Sequence, residues 1–384
     1  MPKVNPKILI WARESAGFTL EDAARAIGLS GEHASARLAE MEAGERSPSR
    51  PQLLKMSERY RRPLLAFYLS APPPPAPRTH DFRTLGDQET GSEAIIEALI
   101  RDVKTRQALV RGALEDADEA EPLSFVASVQ PDQGVNALVA AMQGVLAFDR
   151  TSYRRARSID DAFKVLRDAV EAVGVFVLLV GNLGHHTSNL SPGVFRGMAI
   201  ADPIAPFIVI NETDSRSAWP FTLLHEFGHI LMGESGISGY DSDQTIERLC
   251  DDAAGRLLLD RDELRTIPRT AHVDALVDEI GTFASVRKVS RKMVAYNLLR
   301  AGFISIALYQ NLATRFDADR LEFARRATSG GAPDYYVVRR HRVGQGLLRL
   351  VNRMLAEGAL STTKASKVLG VKATAVSRMT ERAA

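Results

Sequence analysis

The run Phe221-Thr222-Leu223-Leu224-His225-Glu226-Phe227-Gly228-His229-Ile230 places two histidines four residues apart, with a glutamate directly after the first. Its apolar flanks read as a helix, and helical positions four apart lie one above the other. His225 and His229 can then reach one metal ion, and Glu226 projects beside them, able to take a proton from water. A hydrolytic zinc site needs a third protein ligand and an open fourth position. The next helical stretch, Thr245 to Ala254, supplies acids: Glu247 and Asp251 share one face, opposite the apolar side. Glu247 is assigned as the third ligand, and Asp251 as a partner for a histidine ring or a cap within the helix pair. Cys250 reads as buried packing rather than a soft ligand. Tyr240, His185 and His186 lie on loops flanking these helices and are candidate oxyanion donors, none of them singled out.

The elements that must carry these residues follow from apolar periodicity. Val173–Val180 and Phe207–Asn211 are apolar, β-branched runs bounded by glycine, proline or polar residues, and are expected as buried strands. Between them 181–201 is expected as a loop or hairpin. Helices are expected over Trp219–Gly233 and Ser242–Leu259, with helical patterning continuing almost to the C-terminus. Upstream, residues 5–70 show helical spacing in Ile8, Ile10, Trp11 and Ala12, then in Leu20, Ala23, Ala24 and Ile27. Thr19 caps the second of these helices and Gly28 stops it; a third runs from Ser30 to Glu42 and ends before Gly44. Five prolines between Pro72 and Pro77 deny helix and sheet and predict an extended spacer. Residues 92–118 read as helix, and 119–135 lack a period. The expected fold is α+β and predominantly helical. Its parts are an N-terminal bundle at 1–70, a linker and connector at 71–135, a core with a small sheet at 136–275, and a helical region at 276–384.

The stretch from Phe195-Arg196-Gly197 through Asn211, then Phe221 to His229, then Glu247 to Leu259 resembles the ImmA/IrrE family of metallopeptidases over roughly residues 170–270. The resemblance implies a zincin-like core in which His225, His229 and Glu247 bind Zn2+ and Glu226 is the catalytic base. It departs from the family pattern just after Glu247, at Cys250-Asp251. The implied chemistry is peptide hydrolysis, with Glu226 taking a proton from water made acidic by the metal and later protonating the leaving amine. Residues 6–62 resemble the Xre or Cro/C1 type of helix-turn-helix, including the run Glu42 to Ser49 after the presumed recognition helix. That implies double-stranded DNA as a partner, read by a homodimer on paired half-sites. The recognition helix offers Glu32, His33, Ser35, Arg37, Glu40 and Glu42, an acidic set for a phosphate-tracking surface.

Charge is nearly balanced over the 384 residues, at +2, but not evenly placed. Residues 331–384 carry ten Lys or Arg against three Asp or Glu, and residues 1–63 eleven against eight. Within the C-terminal stretch, Thr362–Leu369, Gly370 and Lys372–Met379 repeat a helix, glycine turn, helix pattern. Lys364, Lys367, Lys372 and Arg378, together with Arg37 and Arg46 near the N-terminus, are the candidate DNA contacts. A 45% apolar, 25% charged composition is that of an ordinary globular chain. No apolar run reaches the roughly 18 residues that span a bilayer, no secretory signal is visible, and one cysteine agrees with a reducing compartment. A soluble cytoplasmic protein is expected.

Two functions fit. One is a DNA-associated regulatory zinc peptidase that cuts a repressor or similar partner. The other is a non-proteolytic transcriptional regulator or antitoxin-like protein that binds DNA and a toxin-like partner and uses zinc for structure or sensing. An intact Glu226 favours the first, because a structural site has no need of a base.

Overall fold

The computed structural model describes residues 4–73, 90–183, 190–237, 243–268, 272–326 and 334–381. Pro74–Pro77, His185, His186 and Tyr240 lie outside the described residues. By contacts the chain divides into two units, 1–105 with 181–190, and 106–180 with 191–384. Among the described residues no helix is long and apolar enough to cross a membrane.

In the first unit, α1 (Pro6–Glu14) starts with Pro6 behind an Asn5 cap, and α2 (Leu20–Ala26) is capped by Thr19, whose hydroxyl accepts from the Asp22 amide. α3 (Ala34–Ala43) ends at Gly44 in the left-handed region, and α4 (Arg50–Arg59) opens with a Ser49/Gln52 capping box. Ile8, Leu9, Ala23, Ala24, Leu38, Met56, Tyr60 and Phe67 close a core of their own. α3 begins at Ala34, later than the expected Ser30, and His33 at its start makes no side-chain cap.

Glu42 is not on the surface where the sequence reading put it. It is 8% exposed, and Arg13 of α1 reaches it with Nε at 2.8 Å and Nη2 at 3.0 Å. This two-pronged pair joins α1 to α3 and removes one acid from the face of the presumed recognition helix.

Helix α5 (Thr90–Asp116) leads into the second unit. There follow α6 (Gly134–Leu146), α7 (Arg150–Arg154) and α8 (Ile159–Ala172). Ser158 caps α8, acids fill its first turn, and Ala162, Phe163, Leu166 and Val170 form its buried stripe. The sheet comprises β1 (Phe176–Val180), β2 (Gly197–Ile200), β3 (Phe207–Asn211) and the short β4 (Gly236–Ile237), in the order β1-β3-β2-β4. β1 and β3 are parallel, with Phe176 opposite Phe207; β2 runs antiparallel to β3, with Gly197 opposite Ile210. The strand expected from Val173 begins at Phe176, because Val173 closes the end of α8. β2, inside the expected loop, is a strand of its own.

Helix α9 (Trp219–Met232) packs on β2 and β3, and α10 (Gln244–Leu258) packs on α9 and α6. Every residue of α9 but Phe221 is buried, which explains its nearly unbroken apolar sequence. Then come α11 (Val273–Arg287), α12 (Arg291–Arg300), α13 (Ile306–Arg326), α14 (Tyr335–Val343), α15 (Gln345–Ala356), α16 (Thr362–Leu369) and α17 (Val376–Thr380).

The terminal helices are joined to the sheet by buried polar groups. α14 and α15 pack on β1, the outer strand of the sheet. Arg167 of α8 pairs with Glu171 at 3.0 Å and donates to the carbonyls of Val177 and His341, while Glu171 accepts the Gly346 amide at 2.7 Å. Arg342 pairs with Glu212, just beyond β3. An outer strand left bare would offer its backbone to other chains, and these helices cover it.

Candidate metal centre

The register of one helix sets the two imidazoles. His225 and His229 sit on consecutive turns of α9, 6% and 5% exposed, and their Nε2 atoms face each other at 3.1 Å. The second helix brings Glu247, in the first turn of α10 just after the Asp243 cap. Its two oxygens lie 3.3 Å from His225 Nε2 and 3.3 Å from His229 Nε2. Among the described residues these three are the group whose donor atoms could hold a metal, all within 4.8 Å of one another.

The spacing fits the chemistry of the donors. A tetrahedral ion with bonds of about 2.0–2.1 Å keeps its ligands about 3.3 Å apart; the two Nε2 atoms stand 3.1 Å apart and each lies 3.3 Å from one oxygen of Glu247, so the three side chains are gathered at the scale of one such ion. Two nitrogens and one carboxylate oxygen form the set that suits zinc with one position left open. Asp251, one turn after Glu247, accepts from His225 Nδ1 at 2.9 Å. A carboxylate only accepts, so Nδ1 carries a proton, and Nε2 is the nitrogen turned toward Glu247 and His229. Burial works to lower the basicity of His225, but the hydrogen bonds it donates to Asp251 and Glu247 outweigh it and push its pKa up to about 10, so a metal bound at Nε2 would take the place of a proton.

Two glycines permit the close packing of the centre. A Cβ on Gly197 of β2 would stand 2.3 Å from Glu226 Oε1 and 2.8 Å from Thr222 Cγ2, so the bare strand makes room for the Glu226 carboxylate, which is fully buried. A Cβ on Gly228 would meet Cys250 Sγ at 2.9 Å, so α9 and α10 approach closely at that turn. Cys250 is buried there, and burial holds its thiol well above the usual range. It is a packing residue, as its sequence context suggested. Neither glycine was singled out beforehand; only the tertiary approach reveals them.

Beside the cluster opens a cavity of about 530 Å³, lined among others by Phe221, Thr222, Asp251, Met293, Tyr296 and Tyr309. It joins the residue that orients His225 to aromatic walls from α12 and α13. α12, whose Val294, Ala295 and Leu298 are buried packing, thus also supplies cavity wall through Met293 and Tyr296. Tyr296, half-buried, has its hydroxyl pushed up by burial and by the nearby Asp251 charge.

The remaining sequence-singled residues lie elsewhere. Arg37 donates to the Ser30 carbonyl, and Arg46 pairs with Glu40 at 3.2 Å on the surface. Lys364, Lys367, Lys372 and Arg378 are exposed on α16, α17 and the turn between them.

Residues 181–299 match the IrrE N-terminal-like domain, a peptidase family, and residues 9–67 match the helix-turn-helix family. The first match runs on through α12, further than the sequence resemblance reached. Comparison with curated proteins and with solved structures finds no match. The chain therefore carries one segment similar to the helix-turn-helix family and another similar to the IrrE N-terminal-like peptidase domain, and the second holds His225, Glu226, His229 and Glu247.

Proposed function

We propose that His225, His229 and Glu247 hold a zinc ion, that Glu226 handles the proton in peptide hydrolysis, and that the protein acts beside DNA on a repressor-like partner. The observation that carries this is the convergence of His225, His229 and both oxygens of Glu247 at 3.1–3.3 Å, with the Glu226 carboxylate buried next to it against Gly197. Bound there, zinc would supply Lewis acidity, polarising a carbonyl and making water acidic near neutral pH. Asp251 holds His225 in the tautomer whose Nε2 can ligate. Glu226 accepts a proton from the attacking water and returns one to the leaving amine. Its burial keeps bulk water from competing for either transfer. A peptide segment entering the adjoining cavity meets Phe221 and Tyr309 as walls, beside Asp251, the partner of His225.

The helix-turn-helix domain brings the regulatory setting: a module of this type holds the chain near operator DNA, where repressors are found. The test combines metal analysis of the purified full chain with a Glu226→Gln variant, both incubated with candidate repressors in the same extract. Stoichiometric zinc in both and a cleavage product with wild type alone is expected. Identical fragment patterns from the two would overturn the peptidase reading and favour a non-proteolytic regulator or antitoxin-like protein.

A further inference from the structure

The two matched domains end at residues 67 and 299, and the basic C-terminal helices belong to neither. α16 and α17 are linked by a tight turn on a scaffold of α15. Ala365, Val368 and Leu369 of α16 and Val376 and Met379 of α17 are buried, as are Leu347, Leu348, Val351 and Met354 on α15. Ser361 caps α16, its hydroxyl accepting from the Lys364 amide at 3.2 Å. Gly370 turns the chain at φ +64°; a Cβ there would lie 2.6 Å from Arg106 Nη2 and 2.9 Å from Arg339 Nη2. Its carbonyl accepts from Arg339, which fastens the turn to α14. A helix, a glycine turn and a second helix, set on a supporting helix, make the arrangement that presents a helix to a major groove.

The charges of this region separate into two groups. Arg342 and Arg353 are spent on structure, paired with Glu212 and Glu119. Lys367, Lys372 and Arg378 are exposed, and among the described residues no carboxylate pairs with them; Lys364 stands 3.8 Å from Asp116. The Arg378 guanidinium lies 4.4 Å above the Tyr336 ring, and Arg340 holds the Arg378 carbonyl at 2.9 Å, so the outer helix is braced from α14. Thr374, in the 3-10 turn Ala373–Ala375, and Ser377, on α17, are exposed beside them. Over residues 345–381 no large hydrophobic side chain is exposed, the nearest being Tyr335 and Val337 on α14, so α16 and α17 themselves lack the apolar centre on which protein partners dock. Hydroxyls and unneutralised cations suit phosphates instead.

We infer that α16 and α17 form a second DNA-contacting face. Lys364, Lys367, Lys372 and Arg378 follow the phosphates of duplex DNA, and the hydroxyls of Thr374, in the turn before α17, and Ser377, on α17, add contacts to the same backbone. The chain then grips DNA through modules near both ends of its sequence.

The test uses the full chain and a fluorescein-labelled duplex of mixed sequence and about 30 base pairs, with anisotropy followed over a salt titration. Each phosphate contact contributes about 0.9 to the slope of log affinity against log salt. The combined variant Lys367→Ala, Lys372→Ala, Arg378→Ala should flatten the slope by about 2.7 and weaken binding roughly a hundredfold near 0.1 M salt. Because Arg378 also stacks on Tyr336, the Lys367→Ala, Lys372→Ala pair serves as a second variant, flattening the slope by about 1.8 with an unchanged melting profile. The residual slope in both belongs to the N-terminal module. Slopes equal to wild type in both variants overturn the inference, as does displacement of the labelled duplex by polyglutamate as effectively, charge for charge, as by unlabelled duplex. Neither readout depends on peptide cleavage.

Discussion

Asp251 gives the sharpest test of the metal centre, because it touches the cluster through a single bond and is not one of the three donors. Its carboxylate accepts from His225 Nδ1 at 2.9 Å, and its side chain is 36% exposed. Groups that orient a ligating histidine in this way are worth about 10–100-fold in metal affinity. Asp251→Asn keeps an acceptor at the same place but removes the charge, and partial exposure lets water take over some of the role. The expected loss is therefore about tenfold or less, near 1.4 kcal/mol at most. Asp251→Ala removes both charge and acceptor and frees the ring to turn, so it should approach the upper end, about a hundredfold. Glu247→Gln, which replaces a donor, should lose more than either. The assay is competition for zinc against a chromogenic chelator at fixed pH, on full-length protein whose melting profile shows it folded. Asp251→Ala within about twofold of wild type would refute the reasoning, since it would mean that His225 needs no orientation to contribute to the site.

Gly197→Ala sets a methyl against the Glu226 carboxylate, 2.3 Å from Oε1, and should lower cleavage about a hundredfold or more while zinc content stays at one per chain; parallel rate and metal measurements check it. Glu42→Ala leaves Arg13 buried without its carboxylate and should destabilise the first unit by about 3 kcal/mol in urea titration, whereas Arg46→Ala, at a half-exposed pair, should cost under about 1 kcal/mol. Glu263 bridges Arg154 of α7 and Arg287 of α11; burial opposes ionisation, but these hydrogen bonds prevail and hold its pKa at about 2, below the ordinary 4.5. The depressed value means that its contribution is present above about pH 4.5 and is lost as pH falls through about 2, so acid titration of Glu263→Gln should show a flatter stability profile across that window than wild type.

The most legible features in the sequence were those governed by local geometry. Histidines four apart on an apolar run must share a helix face, and Thr19 begins a helix because its hydroxyl accepts a free amide of the first turn. The glycine turn at Gly370 was visible for the same reason. β2 was not, because four residues, Gly197 to Ile200, buried on both faces and opening with glycine, show no alternation.

By itself the sequence determined the helical spacing of His225 and His229, the apolar character of the strands and helices around them, and the gathering of basic charge toward both ends. Those properties depend on neighbours within one or two turns. Tertiary structure alone decided that Glu247 stands 3.3 Å from both imidazoles, that Gly197 faces Glu226, and that Glu42 turns inward to Arg13. Each of these is a contact between separate elements, fixed by how closely two backbones approach, and no periodicity along the chain encodes that distance.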